Sequence, residues 1–107
     1  MIKVSVMYPN GPDIRFDEVY YRDRHMPMVK RLMGDACLYY TIDRAPAGAT
    51  LDANAPFIAM GHLFCESLEA FQAGFGPHTT EIMGDIPNYT NQKPVIQISD
   101  VLVGHDG

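Results

Sequence analysis

The sequence lacks the features that mark several large classes of protein. It has no Trp, only two Cys, and no long run of charge of either sign. With a formal net charge of −5 and no clustered basic surface, the chain is not expected to bind nucleic acid. No apolar stretch approaches the length of a membrane span, and no segment has the shape of a signal peptide. We therefore expect neither insertion into a membrane nor secretion.

The two cysteines, Cys37 and Cys65, both fall inside strand-like runs and not in loops. A cysteine in such a run behaves as a small apolar side chain, and disulfides are rare in the cytosol. The sequence therefore predicts reduced, buried thiols in a cytoplasmic protein.

Motifs for metals and organic cofactors are also missing. The four His form no His-x-His pair and no i,i+4 pair on a helix, and there is no two-Cys ligand motif. No Gly-rich phosphate loop, Gly-x-Ser-x-Gly elbow or dinucleotide fingerprint is present. We expect no metal and no cofactor, which leaves cofactor-free chemistry or binding alone.

What the sequence does contain is a single globular domain. Its 107 residues are enough for one domain, and its hydrophobic fraction of 47% lies in the globular range. We place the domain at 1–104 and a loose tail at 105–107.

Hydrophobic periodicity and turn residues divide the chain into six elements. Gly34 is expected to end the first helix, and Ser67 is expected to cap the second, which Gly74–Pro77 interrupts. Residues 45–56, rich in Ala, Gly, Pro, Asn and Asp, predict an exposed loop or hairpin connection. The predicted strands are 2–8, 36–44, 57–65 and 94–103, and the predicted helices are 16–33 and 68–85. The order βαββαβ predicts an α+β, ferredoxin-like fold with both helices on one face of a four-stranded antiparallel sheet.

The third strand is apolar on both of its faces. Alternate residues from Ile58 to Phe64 and from Ala59 to Cys65 are mainly apolar, whereas a sheet with one wet face alternates apolar and polar residues. Since the helices can cover only one face, the other needs a cover, and a second copy of the chain is the simplest candidate. We expect a homodimer, with a ligand-covered face as the alternative.

The most unusual local feature is Pro27 inside the first predicted helix. Proline removes one helical hydrogen bond and pushes the preceding residue, Met26, away from helical geometry, so we expect a kink or break there. His25 stands at this break. It is either a cap that bonds the freed carbonyl groups or a titratable group on the wall of a pocket.

His62 lies in the middle of the third strand beside Gly61, which leaves room for close approach of another group. It is either a hydrogen-bonded core residue or a base, and Asp100 is one candidate partner for it. Tyr39 and Tyr40 point to opposite faces, so only one of them can line a given cavity. Cys65 would be a nucleophile only if a nearby cation lowered the pKa of its thiol.

The stretch Tyr-Tyr-Arg-Asp-Arg-His-Met-Pro-Met-Val at 20–29 resembles the Tyr-x(4)-His-x-Pro-Leu signature of the EthD family. The resemblance continues through Gly-His-Leu-Phe at 61–64 and Asp-Ile-Pro-Asn-Tyr-Thr at 85–90. It implies the dimeric α+β barrel, in which two ferredoxin-like sheets face each other, and it assigns His25 to the motif histidine. Relatives in that superfamily include muconolactone isomerases, anthrone monooxygenases and haem-degrading enzymes, with pockets between helices and sheet. Haem breakdown is not expected here, because the Trp of the haem degraders is absent.

Together these features favour a cofactor-free enzyme of isomerase or monooxygenase type, acting by proton transfer on a hydrophobic or aromatic-derived carbonyl compound in catabolism. We expect His25 to act as base or orienter, with His62 or Tyr39 stabilising the enolate. Seven Met and eleven aromatic residues suit an apolar pocket. The residues expected to bind the substrate are Tyr20, Tyr40, Met60, Cys65, Tyr89 and Asp100. The alternative is a non-catalytic binding or accessory protein for a hydrophobic small molecule.

Overall fold

The computed structural model describes residues 1–46 and 55–104. Four strands form one sheet in the order β2-β3-β1-β4, and every neighbouring pair is antiparallel. The strands are β1 Ile2–Pro9, β2 Tyr39–Arg44, β3 Phe57–Cys65 and β4 Val95–Asp100. The helices are α1 Glu18–Tyr20, α2 Met26–Met33, α3 Leu68–Phe75 and α4 Thr79–Gly84. This arrangement confirms the predicted α+β, ferredoxin-like fold. The loop predicted at 45–56 and the tail predicted at 105–107 lie largely outside the described residues.

The first helical region differs from the prediction at Pro27. Helices α1 and α2 are joined without a break by a π-helical turn, Tyr21–His25, in which the Met26 N–H donates to the Tyr21 carbonyl. Met26 itself is helical, with φ −66° and ψ −39°, so the expected departure from helical geometry at this residue is wrong. The wider i→i+5 turn accommodates the proline, which falls in the first turn of α2, where a missing N–H is tolerated. Gly34 ends α2 with φ 58°, as predicted.

The second helical region follows the prediction closely. The Ser67 hydroxyl accepts a hydrogen bond of 3.1 Å from the Ala70 N–H and so caps α3. A 3₁₀ turn at Gly76–His78 separates α3 from α4, where the sequence predicted an interruption. A further 3₁₀ turn, Ile86–Asn88, follows α4 and leads the chain back towards the sheet.

The core lies between the helices and one face of the sheet. On that face the buried side chains of Val4, Tyr8 and Leu63 pack against the helix layer, which contributes Tyr21 and Val29 among others. Cys37 and Cys65 are buried free thiols, as expected.

Gly61 has a specific steric role in this core. The Tyr21 hydroxyl lies directly over it, so that a Cβ built at this position would overlap the hydroxyl oxygen. The close approach of a π-turn side chain to the central strand therefore requires glycine here.

The opposite face, called the open face below, is less uniformly apolar than the sequence suggested. It carries Met7, Met60 and Phe64, but also Ser5 and His62. Strands β1 and β2 are the reason, because they place polar residues beside the apolar residues of β3. None of the described helices is long and apolar enough to cross a membrane.

Candidate functional site

The π-helical turn directs the His25 side chain towards the 3₁₀ turn that follows α4. Its ring nitrogen Nδ1 lies 2.9 Å from Asp85 Oδ2, and the residue is only 4% exposed. His25 makes no capping hydrogen bond to the backbone. The capping alternative is therefore not what the structure shows, and the buried histidine is instead paired with a partly buried aspartate.

Asp85 is held by three donors. In addition to His25, it accepts a hydrogen bond of 2.7 Å from the Tyr20 hydroxyl and one of 2.9 Å from the Asn88 side-chain amide. Partial burial acts to raise the pKa of this carboxyl group, but the hydrogen bonds from His25, Asn88 and Tyr20 together outweigh it and the pKa is lowered. Asp85 is therefore a carboxylate at neutral pH, fixed in orientation from three sides.

The charge on Asp85 determines the tautomer of His25. A carboxylate only accepts hydrogen bonds, so Nδ1 must carry the proton and Nε2 is left with a lone pair. Burial lowers the pKa of His25, and this effect exceeds the opposing influence of Asp85. The imidazole is thus neutral near pH 7. Nε2 has no hydrogen-bond partner among residues 1–46 and 55–104, so it is available as a base.

A cavity of about 70 Å³ lies beside His25, between the helix layer and the sheet. Its surface is almost entirely apolar, and the lining residues that carry a polar side-chain group are His25, Tyr8 and Tyr21. The remaining lining is apolar: Val4, Val6, Met26, Val29, Leu63, Phe71, Phe75, Ile82, Met83, Ile86 and Ile96. The cavity is smaller than most small-molecule sites but shares their largely apolar lining.

Three buried tyrosines pack around the histidine. The rings of Tyr21 and Tyr89 have centroids 5.6 Å and 4.7 Å from that of His25, and the hydroxyl groups of Tyr8 and Tyr89 are hydrogen-bonded to each other. Burial raises the pKa of all three phenols. They are therefore neutral hydroxyl groups at physiological pH, and a neutral hydroxyl group can donate a hydrogen bond to an oxygen that develops negative charge.

The structure brings three of the predicted site residues together. His25, Tyr20 and Tyr89 all belong to the group around Asp85. Tyr40 and Cys65 lie on the helix-covered face but do not line the cavity. Burial raises the pKa of the Cys65 thiol to about 11, the opposite of the activation that a nucleophile needs.

Three other predicted residues lie on the open face, away from the cavity. His62, Tyr39 and Met60 point to the side of the sheet opposite His25, because Tyr39 pairs with Phe64 and His62 pairs with Ser5. Within the described residues, His62 therefore does not share the cavity beside His25.

Asp100, one candidate partner for His62 in the sequence, does not contact it in the structure. His62 Nδ1 is 2.8 Å from Ser5 Oγ, and Nε2 is 3.1 Å from Asp43 Oδ2. Asp100 lies opposite Ile2 at the far end of β4, on the helix-covered side of the sheet. The two residues are thus separated by the sheet itself.

Four residues of the site were not predicted: Tyr8, Tyr21, Asp85 and Asn88. Asp85 and Asn88 do fall in the stretch 85–90 that carries the family resemblance, and this was the available signal. Nothing in the local sequence indicates that Asp85 meets a histidine 60 residues earlier. Within the described part of the chain, no three His, Cys, Asp or Glu side chains are grouped to hold a metal ion.

Comparison with known proteins agrees with this architecture. The model of the EthD domain family matches residues 15–93. The structure of an EthD-like protein from Ralstonia eutropha JMP134 is 50% identical, with a TM-score of 0.90 over 98% of this chain and 95% of that chain. No curated protein matches the sequence.

Two solved structures of low sequence identity are similar to this chain in fold. An ethyl tert-butyl ether degradation (EthD) family protein from Bacillus halodurans C-125 is 16% identical, with a TM-score of 0.69 over 94% of this chain and 97% of that chain. A putative antibiotic biosynthesis monooxygenase from Deinococcus radiodurans is 11% identical, with a TM-score of 0.64 over 99% of this chain and 97% of that chain.

Proposed function

Because the chain belongs to the EthD family, we propose that it is a homodimeric, cofactor-free enzyme of the isomerase or monooxygenase type. In this proposal it acts by proton transfer on a hydrophobic or aromatic-derived carbonyl compound in cytoplasmic catabolism. The observation that carries the proposal is the contact of buried His25 with the Asp85 carboxylate, 2.9 Å away, beside an apolar cavity. A neutral imidazole with one nitrogen held and the other free is suited to abstract a proton.

The catalytic step follows from this geometry. Nε2 of His25 takes a proton from the carbon next to the substrate carbonyl, and the electron pair of the broken C–H bond moves to the carbonyl oxygen to form an enolate. Return of the proton to another carbon gives an isomer, without any oxidant. In the monooxygenase variant, the enolate carbon reacts with dioxygen, the co-reactant, to form a hydroperoxide, and loss of water from it leaves a new carbonyl group at that carbon.

The enolate needs a hydrogen-bond donor, and we assign this role to Tyr8 and Tyr21. Both line the cavity, and both are protonated because burial raises the pKa of their hydroxyl groups. His62 and Tyr39, predicted for this role from the sequence, lie on the opposite face of the sheet. In our proposal, the tyrosines of the cavity stabilise the enolate instead.

The dimer in this proposal forms through the open face. Half-buried Met60 and Phe64 and the exposed Tyr39 remain there without a covering helix. A second copy of the same face would remove these side chains from water.

The proposal is tested by hydrogen–deuterium exchange on 2-indanone, an uncharged ketone with a benzylic C–H beside its carbonyl. Proton NMR in D₂O follows the loss of that C–H signal with wild-type protein, with His25→Gln and with His78→Gln as the matched control. His78 ends the 3₁₀ turn after α3 and does not line the cavity. We expect exchange above the buffer rate for wild type and His78→Gln, and a fall of at least about tenfold for His25→Gln, since a general base contributes ~10²–10⁴-fold. Equal exchange with and without His25 would contradict the catalytic role.

A second function fits the same cavity, namely a non-catalytic binding or accessory protein for a hydrophobic small molecule. The nearly continuous apolar lining favours it, because burial of apolar surface alone provides affinity. The two functions differ in one readout. A binding protein retains ligand affinity in His25→Gln and shows no exchange in either form, whereas the enzyme retains affinity and loses exchange.

A further inference from the structure

The cavity has no positively charged lining residue. All eight Lys and Arg residues of the chain lie in the described part of the structure, and none of them lines the cavity. A carboxylate buried there would find no cationic partner, and an unpaired buried charge is strongly unfavourable.

The charged group that contacts His25, a lining residue, is the negative carboxylate of Asp85. Asp85 is ionised and lies on the Nδ1 side of His25. The imidazole itself is neutral near pH 7. An anionic ligand next to His25 would therefore be repelled by Asp85 without compensation from the histidine. An uncharged carbonyl oxygen avoids both penalties and accepts hydrogen bonds from tyrosine hydroxyl groups.

The size of the cavity limits the ligand further. Its volume is about 70 Å³, whereas an apolar cavity of roughly 150 Å³ accommodates benzene. Even a single ring thus requires the walls to move. Met26 and Met83 form part of those walls, and their unbranched side chains adapt more readily than branched ones.

The mouth of the cavity lies towards strand β4. Ile96 and Met83 both line the cavity, and they are 49% and 37% exposed respectively. The deeper residues Val4 and Leu63 are buried. A ligand therefore enters between α4 and β4 and meets Ile96 first.

We propose that this cavity selects uncharged carbonyl compounds of about single-ring size, admitted past Ile96, and rejects carboxylates of the same shape. This inference rests on the proposed function, because it names the substrate class of the same site.

Acetophenone and benzoate test the selection directly, because they have the same ring and differ by a methyl group in place of a carboxylate oxygen. Binding of each is measured by NMR titration of the ¹⁵N-labelled full chain and by thermal shift, since a ligand of the folded state raises the melting temperature. We expect acetophenone to shift the resonances of the cavity residues and to bind at least about tenfold more tightly than benzoate. The proposal is overturned if benzoate binds as tightly as acetophenone, or if neither moves those resonances.

A pair of adjacent substitutions tests where the ligand enters. Ile96→Lys adds a cation at the mouth, and we expect about a threefold to fivefold gain in benzoate affinity, the range of an exposed ion pair. Val95→Lys is the matched control, because Val95 is 48% exposed but faces the other side of the sheet. An equal gain in both variants would place the binding site elsewhere and overturn the proposal.

The binding test and the exchange test can fail independently of each other. If acetophenone binds in preference to benzoate but 2-indanone exchange does not depend on His25, the ligand class stands and catalysis fails. If exchange depends on His25 while benzoate binds as well as acetophenone, the enzyme stands and the ligand class fails.

Discussion

His25 and Asp85 are 60 residues apart in sequence, and Nδ1 of the histidine lies 2.9 Å from Oδ2 of the aspartate. The histidine comes from the π-helical turn between α1 and α2, whereas the aspartate caps the end of α4. Each residue alters the other: the carboxylate sets the tautomer of the imidazole, and the imidazole helps to keep the carboxylate ionised. The contact thus joins the two helical regions and leaves Nε2 of the histidine with a lone pair.

The titration of His25 is the first expected outcome. Burial lowers its pKa below the ordinary value of 6.5, while the hydrogen bond and charge of Asp85 act to raise it. We expect an NMR titration midpoint below 6.5 for wild type and a still lower one for Asp85→Asn, because that variant removes the stabilising charge. Long-range ¹H–¹⁵N spectra should show the proton on Nδ1 in wild type. A wild-type midpoint above 6.5, or the same midpoint in wild type and Asp85→Asn, would refute this account.

The same lowered pKa makes stability depend on pH. The unfolded chain binds a proton at His25 near pH 6.5, and the folded chain binds it only at lower pH. In the window between the two pKa values the unfolded state holds more protons, so the free energy of unfolding falls as the pH is lowered through it. Each unit of difference between the pKa values corresponds to about 1.4 kcal/mol.

Urea unfolding between about pH 7.5 and pH 5 measures this effect. Comparison of wild type with His25→Gln isolates it, because the other titratable groups are common to both proteins. Asp85 titrates below 3.8 and so does not interfere in this range. Parallel curves for the two proteins would show that His25 is not responsible.

Gly61→Ala should destabilise the protein by about 1–3 kcal/mol, as is typical of overpacking in a core. The added Cβ overlaps the Tyr21 hydroxyl. In the background of Tyr21→Phe, which removes that oxygen, the loss should shrink, and a double-mutant cycle measures the difference.

Gly84→Ala is the matched control for that cycle. A Cβ at Gly84, the last residue of α4, meets nothing within 4 Å. We expect a neutral or slightly stabilising effect, because alanine is favoured over glycine in a helix by up to ~1 kcal/mol. A larger loss in Gly84→Ala than in Gly61→Ala would show that the contact with Tyr21 is not the cause.

The proposed dimer is expected to form through the open face. Light scattering should give twice the chain mass of 11.9 kDa for wild type. Thr41→Arg places an exposed cation beside His62 on that face, and in a symmetric dimer the charge appears twice, so we expect dissociation to monomers. Gln72→Arg adds the same charge at an exposed position of α3 and should leave the mass unchanged. A monomeric mass for the wild-type protein would contradict the proposed dimer.

The thiols should be unreactive in the folded protein. Burial raises the pKa of Cys37 and raises that of Cys65 to about 11, so little thiolate is present near neutral pH. We expect a thiol reagent to label both residues only after unfolding in denaturant. Rapid labelling of the native protein would mean that the strands around these residues open readily.

The sequence by itself determined the fold. Period-two and helical patterns, Ser67 as a cap and Gly34 as a helix end are local signals, and each predicted element appears in the structure within a few residues. His25 was also found locally, because Pro27 marks an irregular helix next to it. Local steric rules did not distinguish a kink from a π-helical turn, since both accommodate a proline.

Only the tertiary structure decided which residues share a site. The face to which each strand points, and the partner that each strand takes, depend on long-range pairing, and this separated His62 from both His25 and Asp100. The same pairing brought Tyr8 to the cavity and Asp85 to His25. Hydrogen bonds across 60 residues reflect how the chain packs and leave no periodic trace in the sequence. The motif histidine was therefore predictable, but the aspartate that fixes its tautomer was not.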